Sequence, residues 1–165
     1  MGIIGLGNIG KRLGRLARAL NMNIIGYDVI PIDEEFSREV GLMKADLNTL
    51  LQSSDYVSIH VPLLDSTYHL LDSEKLSLMK NTAKIINTSR GGVVDEAALY
   101  ESLKNGALGG AALDVFEKEP ALGSSLVELD NVILTPHIGA QTKEAQSLAA
   151  NVIAEKIIQI LRGVI

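Results

Sequence analysis

The chain has 165 residues, of which 47% are hydrophobic and 4% aromatic, and its net charge is −5. This length suits one domain, and high apolar content with modest charge excludes a disordered chain. Mild acidity with few aromatic residues argues against nucleic-acid binding, and the lack of cysteine excludes disulfide, cysteine–zinc and thiol chemistry. No apolar run reaches the length of a membrane span. We expect a cytoplasmic domain with no nucleic-acid partner, no membrane contact and no metal.

Short apolar runs alternate with amphipathic stretches along the chain. The predicted strands are residues 3–5, 23–28, 43–45, 56–61, 84–87, 111–115 and 132–134. The predicted helices are residues 9–20, 34–40, 47–52, 73–79, 95–104 and 142–161. Strands that alternate with helices predict a parallel sheet covered on both faces. The expected fold class is α/β, a doubly wound, mostly parallel Rossmann-type sheet of about seven strands, with residues 1–165 forming a single domain.

Apolar periodicity defines the first and last helices most clearly. One apolar face of the first helix is formed by Ile9, Leu13, Leu16, Ala17 and Leu20. The stripe of the last helix is formed by Ala145, Leu148, Ala149, Val152, Ile153, Ile157, Ile160 and Leu161. A recurrence of three to four residues is typical of an amphipathic helix.

A glycine-rich loop follows the first strand. Gly5, Gly7 and Gly10 fit G-x-G-x-x-G, in which the first glycine permits the turn, the second lets a pyrophosphate approach, and the third lets the helix pack closely. Asp28 ends the second strand, near the spacing of roughly 20 residues expected for a ribose-binding acid. The pattern predicts dinucleotide binding, and the alternative is an ordinary turn with a chance aspartate. A carboxylate repels a 2′-phosphate, so Asp28 favours NAD over NADP.

Polar residues collect where the later strands end, which is where ligands lie in open parallel sheets. Pro62 follows the fourth predicted strand, and the polar residues in or after the later strands are Thr88, Ser89, Arg90, Asp114, Glu117, Glu119, Thr135 and His137. Arg90 can bind a carboxylate through two hydrogen bonds, and His137 can exchange a proton with a hydroxyl oxygen during hydride transfer. Either glutamate can orient the imidazole and favour its protonated form. The set suits hydride chemistry on a hydroxy acid or keto acid.

Each of these side chains also has a structural interpretation. Arg90 alone is typical of a surface ion pair, the two glutamates of a solvated loop, and His137 of a capped loop. His60 falls inside a predicted strand and is expected in the core, whereas His69 is expected to be a solvated turn residue.

In order and spacing, these motifs resemble the D-isomer-specific 2-hydroxyacid dehydrogenases. The resemblance is carried by Gly5–Gly10, Asp28, Asn87–Asp95, Ala112–Phe116, Glu119–Pro120 and Thr135–Gly139. Residues 139–146 are most similar to the D-3-phosphoglycerate dehydrogenases of that family. The resemblance implies that Arg90 binds the substrate carboxylate, that His137 is the acid/base, and that Glu119 rather than Glu117 is its partner. It implies NAD contacts at Gly5, Gly7, Asn8, Ile9, Gly10, Asp28, Pro62, Thr88, Ser89, Arg90, Asp114, His137, Ile138, Gly139 and Ala140, with Asp114 at the nicotinamide carboxamide.

The resemblance also implies a substrate domain that is absent from this chain. We therefore expect the NAD-binding, catalytic-residue-bearing domain of an oxidoreductase that interconverts a D-2-hydroxy acid and a 2-keto acid. The domain alone is expected to bind NAD without turnover and to form a homodimer, with apolar surface exposed on the last helix, including Ile158 and Ile165. The alternatives are a non-catalytic NAD(H)-sensing module and a dimerisation unit with a vestigial site.

Overall fold

A computed structural model, which describes residues 1–121 and 123–163, contains one seven-stranded sheet in that part of the chain. The strands are β1 (Gly2–Ile4), β2 (Ile25–Tyr27), β3 (Met43–Lys44), β4 (Tyr56–Ile59), β5 (Lys84–Asn87), β6 (Gly110–Leu113) and β7 (Val132–Leu134). The helices are α1 (Asn8–Ala19), α2 (Glu34–Val40), α3 (Leu47–Ser53), α4 (Ser73–Ser77), α5 (Glu96–Lys104) and α6 (Lys143–Leu161). Short 3₁₀ turns cover Gly91–Val93 and Ser125–Glu128. The predicted α/β class is confirmed.

The strand order β3-β2-β1-β4-β5-β6-β7 places a change of direction at the middle of the sheet. The chain moves outward from β1 to β3 and then crosses to β4 on the other side of β1. All strand pairs are parallel, and β1 is in register with β4 through Gly2 opposite Val57 and Ile4 opposite Ile59. In this fold the ligand crevice opens at the carboxyl ends of two such strands.

Five strands end earlier than predicted, and a polar residue follows three of them. Asp28 comes directly after β2, His60 after β4 and Asp114 after β6. Their side chains bond to neighbouring residues instead of facing an apolar layer. The expectation that His60 lies inside a core strand is therefore wrong, since it is half-buried at the strand end.

Only part of the predicted apolar face of α1 is buried, since Ala17 is buried and Leu13 packs against the core. Ile9, Leu16 and Leu20 are 66%, 65% and 75% exposed, and the buried residues of the helix are Gly10, Gly14 and Ala17. The helix packs too closely for larger side chains, because a Cβ on Gly10 would lie 2.1 Å from the Gly5 carbonyl oxygen. A Cβ on Gly14 would lie 2.8 Å from the Phe36 ring. Small residues therefore define the contact.

The last helix, α6, is capped by the Thr142 hydroxyl, which accepts from the Ala145 amide at 3.1 Å. None of its described residues is buried, and its apolar stripe faces solvent. Ile158 is 45% exposed, as expected, and Ile165 lies outside the described residues. No helix in residues 1–121 and 123–163 is long and apolar enough to cross a membrane.

Candidate active site

The glycine loop has the geometry of a phosphate-binding turn. Gly5 has a φ of +90°, and a Cβ there would lie 2.9 Å from the His60 carbonyl group. Nothing lies within 4 Å of the position of a Cβ on Gly7, so that side of the loop is open to a ligand. In the described part of the chain, no side chain caps α1 at Gly7, and the N-terminus of a helix favours an anion. Asn8 and Ile9 are exposed beside it.

Asp28 is joined to the glycine loop. Its Oδ2 accepts from the Leu6 amide at 2.6 Å, and its Oδ1 accepts from the Ile30 amide at 3.0 Å. The carboxylate also lines an open depression with Val29, Pro31 and Lys44. Each carboxylate oxygen has more than one acceptor site, so Asp28 can hold the loop and still accept from a ribose hydroxyl.

Asp114 holds the loop that carries the predicted acid/base. Its Oδ1 accepts from the Thr135 hydroxyl at 2.5 Å and the Ile138 amide at 2.8 Å, and its Oδ2 accepts from the Gly139 amide at 2.8 Å. Although burial alone raises the pKa of Asp114, these hydrogen bonds outweigh it and hold the pKa below its ordinary value. Asp114 stays ionised and fixes residues 137–139.

Asn87, the last residue of β5, shapes the segment that carries Arg90. Its Oδ1 accepts from the Ser89 amide and hydroxyl, and its Nδ2 donates to the Arg90 carbonyl at 2.9 Å. The next residue, Gly91, is pressed against the chain after β6, because a Cβ there would lie 1.9 Å from the Phe116 carbonyl carbon. The exposed Arg90 side chain donates to the Ser89 carbonyl at 2.6 Å.

His137 pairs with Glu119. His137 Nδ1 lies 2.8 Å from Glu119 Oε2, while Glu119 Oε1 accepts from the Phe116 amide at 3.2 Å. These hydrogen bonds hold the pKa of Glu119 below its ordinary value, so it faces the imidazole as an anion. His137 has a φ of +54°, which is uncommon for a residue with a side chain and is typical of functional sites.

Glu117, the alternative partner, points elsewhere. Its Oε1 accepts from His69 Nε2 at 2.9 Å and from the Glu96 amide at 3.0 Å, and its own amide donates to Glu96. His69 Nδ1 lies 3.7 Å from Asp95 Oδ2, and the His69 ring stacks on Tyr68 with centroids 4.0 Å apart. The expectation that His69 is merely solvated is wrong. The ligand atoms of His69, Asp95 and Glu117 lie within 4.8 Å of one another, but the two ring nitrogens face different carboxylates, as in a hydrogen-bonded bridge.

Arg90, Glu119 and His137 open onto one surface pocket of about 370 Å³. Its other lining residues are Leu63, Tyr68, Gly91, Gly92, Phe116 and Glu117. An adjoining, mostly apolar pocket of about 690 Å³ shares Phe116, Glu119 and His137. One guanidinium and one imidazole thus face the space where a small carboxylate could lie.

The predicted site residues fall into two neighbouring groups. The glycine loop and Asp28 form one, and Arg90, Asp114, Glu119 and residues 137–139 form the other. Pro62 is exposed after β4, and its carbonyl accepts from the Thr67 hydroxyl at 2.6 Å. Thr88 and Ala140 are exposed, with no side-chain hydrogen bond in the described residues.

The sequence analysis did not predict the contacts that support the site. Asn87 bonds to the segment of Ser89 and Arg90, Thr135 bonds to Asp114, and His69 pairs with Glu117. Only Asn87 offered a signal, because a polar residue that ends a buried strand needs partners at the sheet edge.

A parallel sheet with this strand order, an open glycine loop and an acid after β2 define a dinucleotide-binding domain of the Rossmann type. The family model for the D-isomer specific 2-hydroxyacid dehydrogenase, NAD binding domain, matches residues 1–139. The chain belongs to this family, as its NAD binding domain.

Named relatives agree with this assignment. The chain is 48% identical over 164 residues to a D-3-phosphoglycerate dehydrogenase of Methanocaldococcus jannaschii, covering 99% of this chain and 31% of the relative. It is 46% identical to a glyoxylate reductase of Korarchaeum cryptofilum, covering 99% of this chain and 49% of the relative. The chain therefore spans about a third to a half of these curated relatives.

Solved structures show the same fold. A D-lactate dehydrogenase from Aquifex aeolicus complexed with NAD and lactic acid superposes with a TM-score of 0.89 at 36% identity, covering 98% of this chain and 53% of that one. A D-isomer specific 2-hydroxyacid dehydrogenase from Lactobacillus delbrueckii ssp. bulgaricus in an NAD complex gives a TM-score of 0.90 at 30% identity, covering 98% and 53%.

Proposed function

We propose that this chain is the NAD-binding and catalytic half of an oxidoreductase that interconverts a D-2-hydroxy acid and a 2-keto acid. The observation that carries the proposal is the shared pocket of Arg90, Glu119 and His137. It lies on the carboxyl side of β5, β6 and β7, the same side of the parallel sheet as the glycine loop. A carboxylate binder and an acid/base beside a dinucleotide site are what this reaction requires.

Each proposed side chain has one task. NAD held by the glycine loop and Asp28 would supply the acceptor for the hydride that leaves the hydroxyl-bearing carbon of the substrate. Arg90 binds the carboxylate with two hydrogen bonds and orients that carbon. Because His137 Nδ1 is paired with Glu119, Nε2 is left to take the hydroxyl proton as the C–O bond becomes a carbonyl. Glu119 stabilises the resulting imidazolium, and reduction reverses each transfer.

Identity with the relatives supports D-3-phosphoglycerate as the substrate, and with it a place in serine biosynthesis. The match to the Methanocaldococcus dehydrogenase is slightly higher than the match to the Korarchaeum reductase, so glyoxylate is the competing substrate. We further propose a cytoplasmic homodimer. The exposed apolar residues of α6 support association, because contiguous apolar patches mark contact surfaces.

Fluorescence titration with NADH, followed by activity assays, tests the proposal. The chain alone should bind NADH and show no turnover of D-3-phosphoglycerate or glyoxylate, because closure by a second domain is needed to exclude water. Replacing the matching half of the Korarchaeum reductase with this chain should restore turnover, and His137→Asn in that chimera should reduce it by a factor of about 100 or more.

Several outcomes would contradict the proposal. If NADH does not bind, the cofactor assignment is wrong. If NADH binds, the chimera folds, and His137→Asn leaves turnover unchanged, His137 is not the acid/base. If NADH binds but no chimera is active, a sensing module is favoured. Light scattering on the chain measures its mass, and a monomer would refute the homodimer.

A further inference from the structure

His69 makes contacts that no step of the proposed reaction uses. It lies in the loop between β4 and α4 with a φ of +49°, in the left-handed region that residues with side chains rarely adopt. Its amide donates to the Gly92 carbonyl at 2.8 Å, and its side chain is only 28% exposed. The loop is therefore attached by its backbone to the segment that follows Arg90, and the imidazole is turned inward.

The imidazole of His69 contacts Glu117, which lines the pocket of Arg90 and His137. His69 Nε2 lies 2.9 Å from Glu117 Oε1, which also accepts from the Glu96 amide at 3.0 Å. Glu117 is thus anchored from two directions, by a side chain from one loop and by the start of α5. The Tyr68 ring, which lines the pocket, stacks on the imidazole with an angle of 16° between the planes.

The peptide segment at Phe116 and Glu117 contacts both Gly91, which follows Arg90, and the side chain of Glu119. Gly91, next to Arg90, lies against it so closely that a Cβ would be 2.5 Å from the Glu117 nitrogen. The Phe116 amide donates to Glu119 Oε1, whose second oxygen pairs with His137. A shift of this peptide would therefore move both the guanidinium segment and the partner of the imidazole.

We propose that His69 is a positioning residue, which holds the Phe116–Glu117 peptide through Glu117 and thereby keeps Glu119 in line with His137. The inference rests on the proposed function for its catalytic meaning, but the hydrogen-bond chain can be tested without activity. The His69 side chain does not line the pocket onto which Arg90, Glu119 and His137 open. Its loss should loosen the Glu119–His137 pair while the glycine loop and Asp28 remain intact.

The test reads the tautomer of neutral His137 from ring ¹⁵N shifts in the intact chain at alkaline pH. Pairing with Glu119 requires the proton on Nδ1, because the tautomer is set by the hydrogen bond that the ring makes. In His69→Ala the Nδ1-protonated fraction should fall about threefold relative to the alternative tautomer. His69→Gln supplies an amide donor of similar reach and should restore the fraction. Lys118→Ala, an exposed change in the same segment, is the matched control and should leave it unchanged.

NADH affinity separates this inference from the proposed function. All three variants should bind NADH within about twofold of the parent chain, since none alters the glycine loop or Asp28. Failure of the parent to bind NADH would refute the proposed function and leave the tautomer experiment valid. If His69→Ala unfolds, the comparison uses Glu117→Gln, which keeps an acceptor oxygen, against Glu117→Ala, which removes it. An unchanged tautomer in folded His69→Ala or Glu117→Ala, or no rescue by glutamine, overturns the inference.

Discussion

Asp114→Ala should uncouple the loop of residues 137–139 from the sheet. In the structure, the buried carboxylate accepts from the Thr135 hydroxyl and from the amides of Ile138 and Gly139. Alanine removes the acceptor for all three donors at once. The loop carries His137 in a left-handed conformation, so its geometry depends on these bonds.

The size of the effect follows from the three lost hydrogen bonds. A donor left without its partner costs about 1–3 kcal/mol, and the lower end applies here because Ile138 and Gly139 lie at the surface and can turn to water. Three donors at about 1 kcal/mol each give roughly 3 kcal/mol. For a chain of this size that corresponds to a fall in melting temperature of roughly 6–12 °C.

The contribution of Asp114 to folding stability should decrease at low pH. Because the pKa of Asp114 is lowered in the folded protein, its contribution to stability is complete above the ordinary value of 3.8 and is lost as the pH falls through the lower, folded value. The difference in stability between the parent chain and Asp114→Ala should therefore be constant near neutral pH. It should shrink below about pH 3.8.

Thermal melts followed by circular dichroism, together with NADH titration, measure these effects. Asp114→Asn is the matched control, because its single carbonyl oxygen can still accept from part of the loop and should give an intermediate melting temperature. NADH affinity should fall with loop order. A melting temperature of Asp114→Ala within about 2 °C of the parent, with unchanged NADH affinity, would show that the carboxylate does not hold the loop.

Two further predictions concern cofactor choice and the catalytic pair. Asp28→Asn keeps an acceptor for the Leu6 amide but removes the negative charge. The parent should prefer NADH over NADPH by about 2 kcal/mol, or roughly 30-fold, and this preference should narrow in the variant when the two cofactors are titrated in parallel. Equal affinities of the parent for NADH and NADPH would refute this role of Asp28. In the active chimera, Glu119→Gln should move the pH profile of reduction to lower pH, because the protonated imidazole of His137 loses the carboxylate that faces it. If only Glu117→Gln shifts the profile, Glu117 and not Glu119 is the partner of His137.

The sequence was informative where a motif constrains the backbone. The G-x-G-x-x-G loop, the acid after the second strand and the alternation of strands and helices predicted the parallel sheet that the structure contains. The face of α1 was predicted only in part. Ala17 is buried as expected, but periodicity counts large apolar residues and overlooked the close contacts of Gly10 and Gly14. The contact between His69 and Glu117 was missed because the two residues are distant in sequence, and no local pattern signals such a pair.

The last helix gives the sharpest contrast between an apolar pattern and actual packing. Its stripe is that of an amphipathic helix, and Leu148, Ile157 and Leu161 are 65%, 51% and 81% exposed, in line with the expected apolar surface on this helix. A helix without packed partners adds little to stability, because most helical stability in proteins comes from packing of the apolar face. At a protein concentration where light scattering shows both chains to be monomers, a chain that ends at Thr142 should therefore melt within about 2 °C of the parent.

Leu126→Ala serves as the positive control for that truncation. Leu126 is 1% exposed, and its loss should cost about 3 kcal/mol, a clear fall in melting temperature. If the truncated chain melts as low as Leu126→Ala, α6 packs on the domain in solution. If the parent is a dimer and the truncated chain a folded monomer by light scattering, the apolar stripe is the association surface. A dimer that survives truncation would place the interface on another part of the domain.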